Sequence, residues 1–202
     1  MLVTVEGIEG CGKTTLIAGL SERLRALGVE TIVTREPGGT NAGEAMRALL
    51  LDPSMALVPL AEALLVSAAR AQHLAEQLEP ALKRGVVVLC DRFDDSTLAY
   101  QGYGRGMELQ FLRQISEIGS GGRRADVTFV LDVPVAISRL RVAARPAAAD
   151  RFDLQNDHFH ERVRAGFLEL ARSDARYYVM DGTRPPGELL DEAYDIIEAR
   201  LA

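Results

Sequence analysis

The run Gly7-Ile8-Glu9-Gly10-Cys11-Gly12-Lys13-Thr14 meets the pattern G-x-x-x-x-G-K-[ST] at every fixed position. These residue types suit one task, the cradling of a polyphosphate. Gly7, Gly10 and Gly12 let the backbone turn so that several N–H groups converge on one phosphate. A helix expected to begin at Lys13 adds the positive end of its dipole. Lys13 brings a mobile positive charge to the β- and γ-phosphates, and the Thr14 hydroxyl suits Mg²⁺. Gly7 to Thr15 is therefore the predicted nucleotide-binding segment, with Ile8, Glu9, Gly10 and Cys11 at the variable positions. Cys11 reads as a small space-filler whose backbone N–H does the binding. The motif does not separate a kinase from an ATPase, a GTPase or a switch.

A second group of chemically able residues stands far downstream, in Asp91-Arg92-Phe93-Asp94-Asp95-Ser96-Thr97-Leu98-Ala99-Tyr100-Gln101. Asp91 is placed to hold Mg²⁺, directly or through water, and Arg92 offers a planar donor fork to a phosphate. A structural Asp–Arg pair at a helix start is the competing reading. Arg70 lies on a predicted helix among Ala68, Ala69 and Ala71, with no acidic residue three or four positions away. An arginine in such small surroundings either snorkels or meets a ligand. Arg139, Arg141, Arg145 and Arg151 cluster around a segment without pattern, either a solvated basic helix end or a cationic flap. His73, His158 and His160 are too scattered for a metal site, and Glu161, Arg162 and Arg164 read as a solvated helix face.

The elements that must position these residues alternate. Predicted strands are Leu2–Glu6, Val29–Thr34, Val86–Cys90, Val127–Asp132 and Tyr177–Asp181. Predicted helices are Lys13–Leu27, Ala42–Leu51, Leu60–Lys83 as one helix or two, Glu108–Ile118, Val135–Ala144, Phe159–Ala171 and Glu188–Leu201. Val86 to Cys90 is a continuous apolar run, as a central parallel strand buried on both faces requires. The expected fold is α/β, a parallel five-stranded sheet flanked by helices on both faces, with ligands at the carboxyl ends of the strands. Gly102–Gly106 and Arg145–Arg151 read as mobile loops.

The 202 residues suit one domain with a substantial core, at 48% hydrophobic residues. The net charge of −6 argues against broad nucleic-acid binding. No apolar run approaches a membrane span, and Met1 to Val5 reads as a strand rather than a signal peptide. Cys11 and Cys90 suggest no disulfide framework, so the cytoplasm is the expected compartment.

With the phosphate loop upstream, the Asp91 to Gln101 segment resembles the Asp-Arg-aromatic-x-x-Ser signature of thymidylate kinases, including the Ala-Tyr-Gln that follows it. Arg35-Glu36-Pro37-Gly38-Gly39-Thr40 looks like the family's Glu-Pro-Gly loop. Ala69-Arg70-Ala71-Gln72-His73 looks like its substrate-side helix, and Tyr100 to Gly106 like the bacterial form of the following loop. The resemblance covers essentially the whole chain and implies transfer of the γ-phosphoryl group of MgATP to dTMP by a homodimer. It implies that Arg92 bridges the acceptor phosphate and the transferring phosphoryl. Glu9 would meet the acceptor's 3′-hydroxyl or the hydration shell of Mg²⁺, held by Thr14 and Asp91. Arg70 would bond the pyrimidine edge, while Arg35, Glu36 and Pro37 shape the pocket. Ser96, Thr97 and Gln101 would line the base side, and Tyr100 would occupy the space of a 2′-hydroxyl.

Two departures carry expectations. The family commonly places an aromatic ring four residues before this arginine, where Val66 stands here. Loss of a stacking ring worth roughly 1 kcal/mol predicts weaker acceptor binding or looser base choice, leaving another nucleoside monophosphate as a rival acceptor. The phosphate loop also lacks the arginine that some members carry. The missing charge is then expected from Arg145 and Arg151, in a flap spanning approximately 143–154 that closes over ATP and excludes water.

Overall fold

The structure is a computed structural model, and it describes residues 1–146 and 148–201. Five parallel strands form one sheet: β1 (Leu2–Glu6), β2 (Thr31–Arg35), β3 (Val87–Asp91), β4 (Val127–Asp132) and β5 (Tyr177–Asp181). Their spatial order is β2-β3-β1-β4-β5, with β1 at the centre. Register pairs Val5 with Asp91 on one side and with Phe129 on the other. The carboxyl ends of β1, β3 and β4 therefore meet at one edge, where a doubly wound sheet binds its ligand.

The alternation of side chains sorts the strands onto two cores. Val3, Val5, Val87, Leu89, Phe129 and Leu131 face α1 (Lys13–Ala26) and α9 (Pro186–Leu201). Val88 and Cys90 face the opposite side, together with Phe93 and Leu78. Val130 on that side packs under α6 (Leu109–Ser120) and α8 (Asp157–Leu170). Strands apolar on both faces need helices on both faces, and this chain provides them.

Helix boundaries follow local chemistry. Thr40 caps α2 (Asn41–Leu51) by accepting from the Gly43 N–H at 2.9 Å, and Asn156 caps α8 through the Phe159 N–H at 2.9 Å. The Leu60–Lys83 segment is one continuous rod of α3 (Pro59–His73), a wide π-helical turn (Leu74–Leu78) and α4 (Glu79–Lys83). The widening comes just before Pro80, which cannot donate to the preceding turn and crowds its carbonyls.

The stretch read as a mobile loop at Gly102–Gly106 differs. The short helix α5 (Asp94–Thr97) runs on as a π-helical segment to Gly104. Glycine is required there by packing rather than by motion, since a Cβ on Gly102 would lie 2.5 Å from Leu109 and one on Gly104 would lie 2.7 Å from Phe159. The helix α7 (Val135–Ala143) leads into a segment with no regular structure through Asp150 among its described residues, of which Ala147 is not one.

Candidate active site

The loop between β1 and α1 has the predicted strand–loop–helix setting. Gly12 caps α1 with φ 109°, a left-handed conformation that costs other residues dearly. Gly7 lies so close to β4 that a Cβ would sit 2.6 Å from the Leu131 carbonyl oxygen. Lys13 Nζ lies 3.2 Å from the carbonyl oxygens of both Gly7 and Ile8. Gly7 and the buried Ile8 sit behind the loop, while Glu9, Gly10, Cys11, Gly12, Lys13, Thr14 and Thr15 line a cleft of about 920 Å³.

That cleft collects the other predicted groups. Arg35, Glu36, Pro37, Val66, Arg70, Asp91, Arg92, Ser96, Thr97, Tyr100, Gln101 and Arg145 all belong to its wall. Arg92 follows β3 in a left-handed conformation, φ 73°, the only such non-glycine residue described. A strained backbone of this kind persists only when its surroundings over-determine it. Here the Arg92 N–H donates to the Val5 carbonyl at 3.1 Å, and the Cys90 thiol donates to the Arg92 carbonyl at 3.0 Å. Glu6, fully buried at the end of β1, accepts from the Phe93 N–H at 2.7 Å and the Ser96 hydroxyl at 2.6 Å.

The turn aims the Arg92 guanidinium across the cleft. It donates to Glu9 at 3.1 Å, to the Tyr100 hydroxyl at 2.9 Å and to Ser96 at 3.2 Å. The Tyr100 hydroxyl in turn donates to Glu9 at 2.6 Å, and its ring is held edge-on by Phe152, Phe159 and Phe167. Burial pushes the Glu9 carboxyl up, but His160, Arg92 and Lys13 outweigh it and hold that carboxyl well below its ordinary range. His160 lies 3.3 Å from Glu9 and is buried, so it belongs to this cluster.

Arg70 neither snorkels nor stands alone. It is fully buried, with Nε 2.7 Å from Glu36 and one terminal nitrogen donating to the Phe93 carbonyl and the Thr97 hydroxyl at 2.9 and 3.0 Å. Its other terminal nitrogen, Nη1, has no hydrogen-bond partner among the described residues. Glu36 is braced from its far side by His73 at 2.9 Å, which accounts for that histidine without a metal. Arg35 is half-exposed and pairs with Glu44 at 3.0 Å.

Asp91 and Thr14 are the two groups expected to hold a cation. Asp91 Oδ1 is buried and has no hydrogen-bond partner among the described residues, and Thr14 is exposed in the cleft wall. Among the described residues no group of three or more His, Cys, Asp or Glu could hold a metal. The donor set therefore fits an ion that keeps several waters and takes further oxygens from a nucleotide, as Mg²⁺ does.

The arginines around the flap divide. Arg145 lines the cleft, about 43% exposed and 4.0 Å from Asp153. Arg151 does not line it. Its guanidinium is turned away, 2.7 Å from the buried Glu62 and donating at 2.8 Å to the Leu50 carbonyl. A buried carboxylate outcompetes an open cleft for this cation, so Arg151 anchors the end of the flap in this conformation. Arg141 bridges the carbonyls of Gly10 and Gly182, and Arg139 braces Asp157. Arg164 is not merely solvated either, since it grips Asp132 at the end of β4 with two bonds of 2.6 and 2.9 Å.

Several wall residues carry no motif. Arg47 and Leu50 on α2, Phe152, and Gly182-Thr183-Arg184-Pro185 after β5 all line the cleft. The last stretch had one usable signal, its place at the carboxyl end of a parallel strand. Glu6, the last residue of β1, shares that signal, whereas Glu62 and His160 carry none.

A family model described as thymidylate kinase matches residues 5–193. The chain is 49% identical to the thymidylate kinase of Deinococcus radiodurans over 201 residues, 99% of this chain and 97% of that one. It is 47% identical to that of Desulfovibrio desulfuricans over 209 residues, 100% and 96% of the two chains. The crystal structure of thymidylate kinase from Ehrlichia chaffeensis superposes with a TM-score of 0.79 at 33% identity, covering 98% of each chain. With a phosphate loop facing an arginine held in a strained turn, and full-length likeness of this degree, the chain belongs to the thymidylate kinase family.

Proposed function

We propose that this chain transfers the γ-phosphoryl group of ATP to dTMP, giving ADP and dTDP. The observation that carries the reading is the convergence of Lys13, Arg92, Glu9 and Asp91 on one cleft whose far wall holds Arg70 with a buried, unpartnered Nη1. A switch protein has no use for that second wall.

Phosphoryl transfer between two anions needs positioning and cationic charge more than covalent chemistry. The phosphate-loop N–H groups and Lys13 hold the β- and γ-phosphates. Arg92 spans the acceptor phosphate and the group in transit, and its link to Glu9 orients both side chains. Thr14 and Asp91 would hold Mg²⁺, which would supply further positive charge at the phosphate oxygens. The acceptor is already anionic, so no general base is required. Arg70 Nη1 donates to the pyrimidine C4 carbonyl, and Gln101 accepts from N3–H. Tyr100, fixed by three rings, fills the space that a 2′-hydroxyl needs. Arg145 supplies lid charge from the flap at 143–154 of this single domain, and Arg151 anchors the flap's end.

Among the described residues no helix is long and apolar enough to cross a membrane. The proposed setting is cytoplasmic, with ATP and dTMP as partners and no nucleic acid. Exposed Leu60 and Leu64 on α3 and Phe111 and Ile118 on α6 form the proposed face of a homodimer. Sedimentation should then give twice the chain mass.

The test is an ADP-release assay with MgATP and dTMP, dUMP, UMP or dCMP. dTMP is expected to turn over fastest and UMP slowest. Equal rates with UMP would remove the role of Tyr100, and no turnover of any acceptor would end the reading. Val66 in the wall leaves an aliphatic face to the base, so dUMP is expected to lag dTMP only modestly.

A further inference from the structure

Glu62 sits on α3, is fully buried, and belongs to no motif. It collects donors from three separate places. Gln101 Nε2 lies 2.6 Å from its Oε1. Arg105 reaches both carboxylate oxygens, with Nη2 3.1 Å from Oε2. Arg151 Nη1 lies 2.7 Å from the same Oε2.

We propose that Glu62 is a positioning residue that sets base choice by fixing which end of the Gln101 amide faces the acceptor. This rests on the proposed function above. A carboxylate only accepts, so the Gln101 atom beside it must be the amide nitrogen. The carbonyl end, which accepts no hydrogen bond from the described residues, is left for the cleft that Gln101 lines. The wall then presents one donor, Arg70 Nη1, beside one acceptor, Gln101 Oε1. That pair matches a base edge with a carbonyl at C4 and N–H at N3, as in thymine and uracil. Cytosine offers an amino group and a bare ring nitrogen there and mismatches both. Reversing the amide would turn the Gln101 contact from a match to a clash for thymine, and the opposite for cytosine.

Glu62→Gln tests this directly. Arg151, the closer cation, holds the remaining oxygen of the new amide on its own side. The new amide nitrogen then faces Gln101, whose own amide reverses. A lost polar match in a desolvated site changes discrimination by tenfold or more. The expected result is a fall of about tenfold or more in the ratio of kcat/KM for dTMP over dCMP, with the dTMP KM up about tenfold and kcat within about threefold. Loosening of the Arg105 and Arg151 anchors changes both acceptors alike and leaves that ratio unmoved. In a Gln101→Ala background, adding Glu62→Gln should shift the ratio by less than about twofold. An unmoved ratio in the single variant, or an additive loss in the double variant, overturns the role of Glu62. Wild-type protein that turned over no dTMP would instead defeat the proposed function.

Should the variant fail to fold, the wild type still decides. The Gln101 side-chain NH₂ signals in a ¹⁵N spectrum should exchange slowly with solvent both with and without dTMP, because the nitrogen is held on buried Glu62. Fast exchange in the unliganded protein would place the amide nitrogen in the open cleft and overturn the inference.

Discussion

Glu6 offers a quantitative test of how the site is held. It is fully buried beneath the Arg92 turn, where its carboxyl accepts from Phe93 and Ser96. Burial, with the charge of Asp95 added, pushes it from 4.5 up to about 8, against the opposing pull of Arg92 and the two hydrogen bonds. The folded chain therefore keeps a proton that the unfolded chain releases. Stability then falls as pH rises from 4.5 to 8, and levels off above. The slope cannot exceed about 1.36 kcal/mol per pH unit, which sets a ceiling of about 5 kcal/mol across the window. Relaxation and water entry around an ionised buried carboxylate soften the burial penalty, so a loss of about 2 kcal/mol is the working figure. For a chain of this size that is about 4–8 °C in melting temperature. Glu6→Gln removes the titration while keeping the clamp, because its oxygen accepts from Phe93 and its amide donates to Ser96. Urea unfolding of both proteins at intervals from pH 5 to 9 gives the difference curve. Asp94, raised to about 7 by burial and by Asp95, titrates in both and largely cancels. The wild type should lose about 2 kcal/mol relative to the variant between pH 5 and 8.5. Parallel curves would refute the claim that a protonated Glu6 underlies the turn.

Three further outcomes follow from the geometry. Arg92→Ala should lower kcat by about 10²–10³-fold in steady-state assays, since it deletes the cation that faces the group in transit. Arg70→Met should cost about 3–5 kcal/mol in chemical denaturation, because it leaves Glu36 buried with only His73 beside it, and should raise the KM for dTMP. Gly104→Ala should cost about 1–3 kcal/mol by thermal melting, as its Cβ would meet Phe159 at 2.7 Å and Val163 at 2.9 Å.

What could be read from the residues alone divides along a physical line. Strand and helix identity depend on periodicity and caps within a few positions, so β1, β4 and β5 match their expected bounds and β2 and β3 are displaced by one or two residues. The phosphate loop is legible for the same reason, since its function needs glycines at fixed local spacing. Arg70 is the counter-example. Scanning three and four residues to either side finds no acid, because its partner Glu36 is 34 residues away on another element. Glu62 looks like an ordinary polar position on a Leu- and Ala-rich helix, yet it is buried because donors 39, 43 and 89 positions later converge on it. Arg151 is a similar case, its pairing with the distant Glu62 being invisible beside its neighbours. At Gly102–Gly106 glycine by itself suggests freedom, whereas contact with Leu109 and Phe159 excludes a side chain at Gly102 and Gly104.

The least legible feature is also the one on which the chemistry turns. Nothing in Asp91-Arg92-Phe93 announces a left-handed residue, and such a conformation costs a non-glycine residue about 1–2 kcal/mol. Three bonds hold the turn: Arg92 to Val5 and Phe93 to Glu6, which join groups that the sheet brings together, and the local bond from Cys90 to Arg92. An extended residue at this point would send the guanidinium on along β3. The reversed turn sends it back across the carboxyl edge of β1 to Glu9, inside the phosphate loop. The strain is thus the means by which a side chain from one strand reaches the loop of its neighbour. It explains why a buried glutamic acid side chain, a buried thiol and a strand carbonyl are all committed to a single backbone angle.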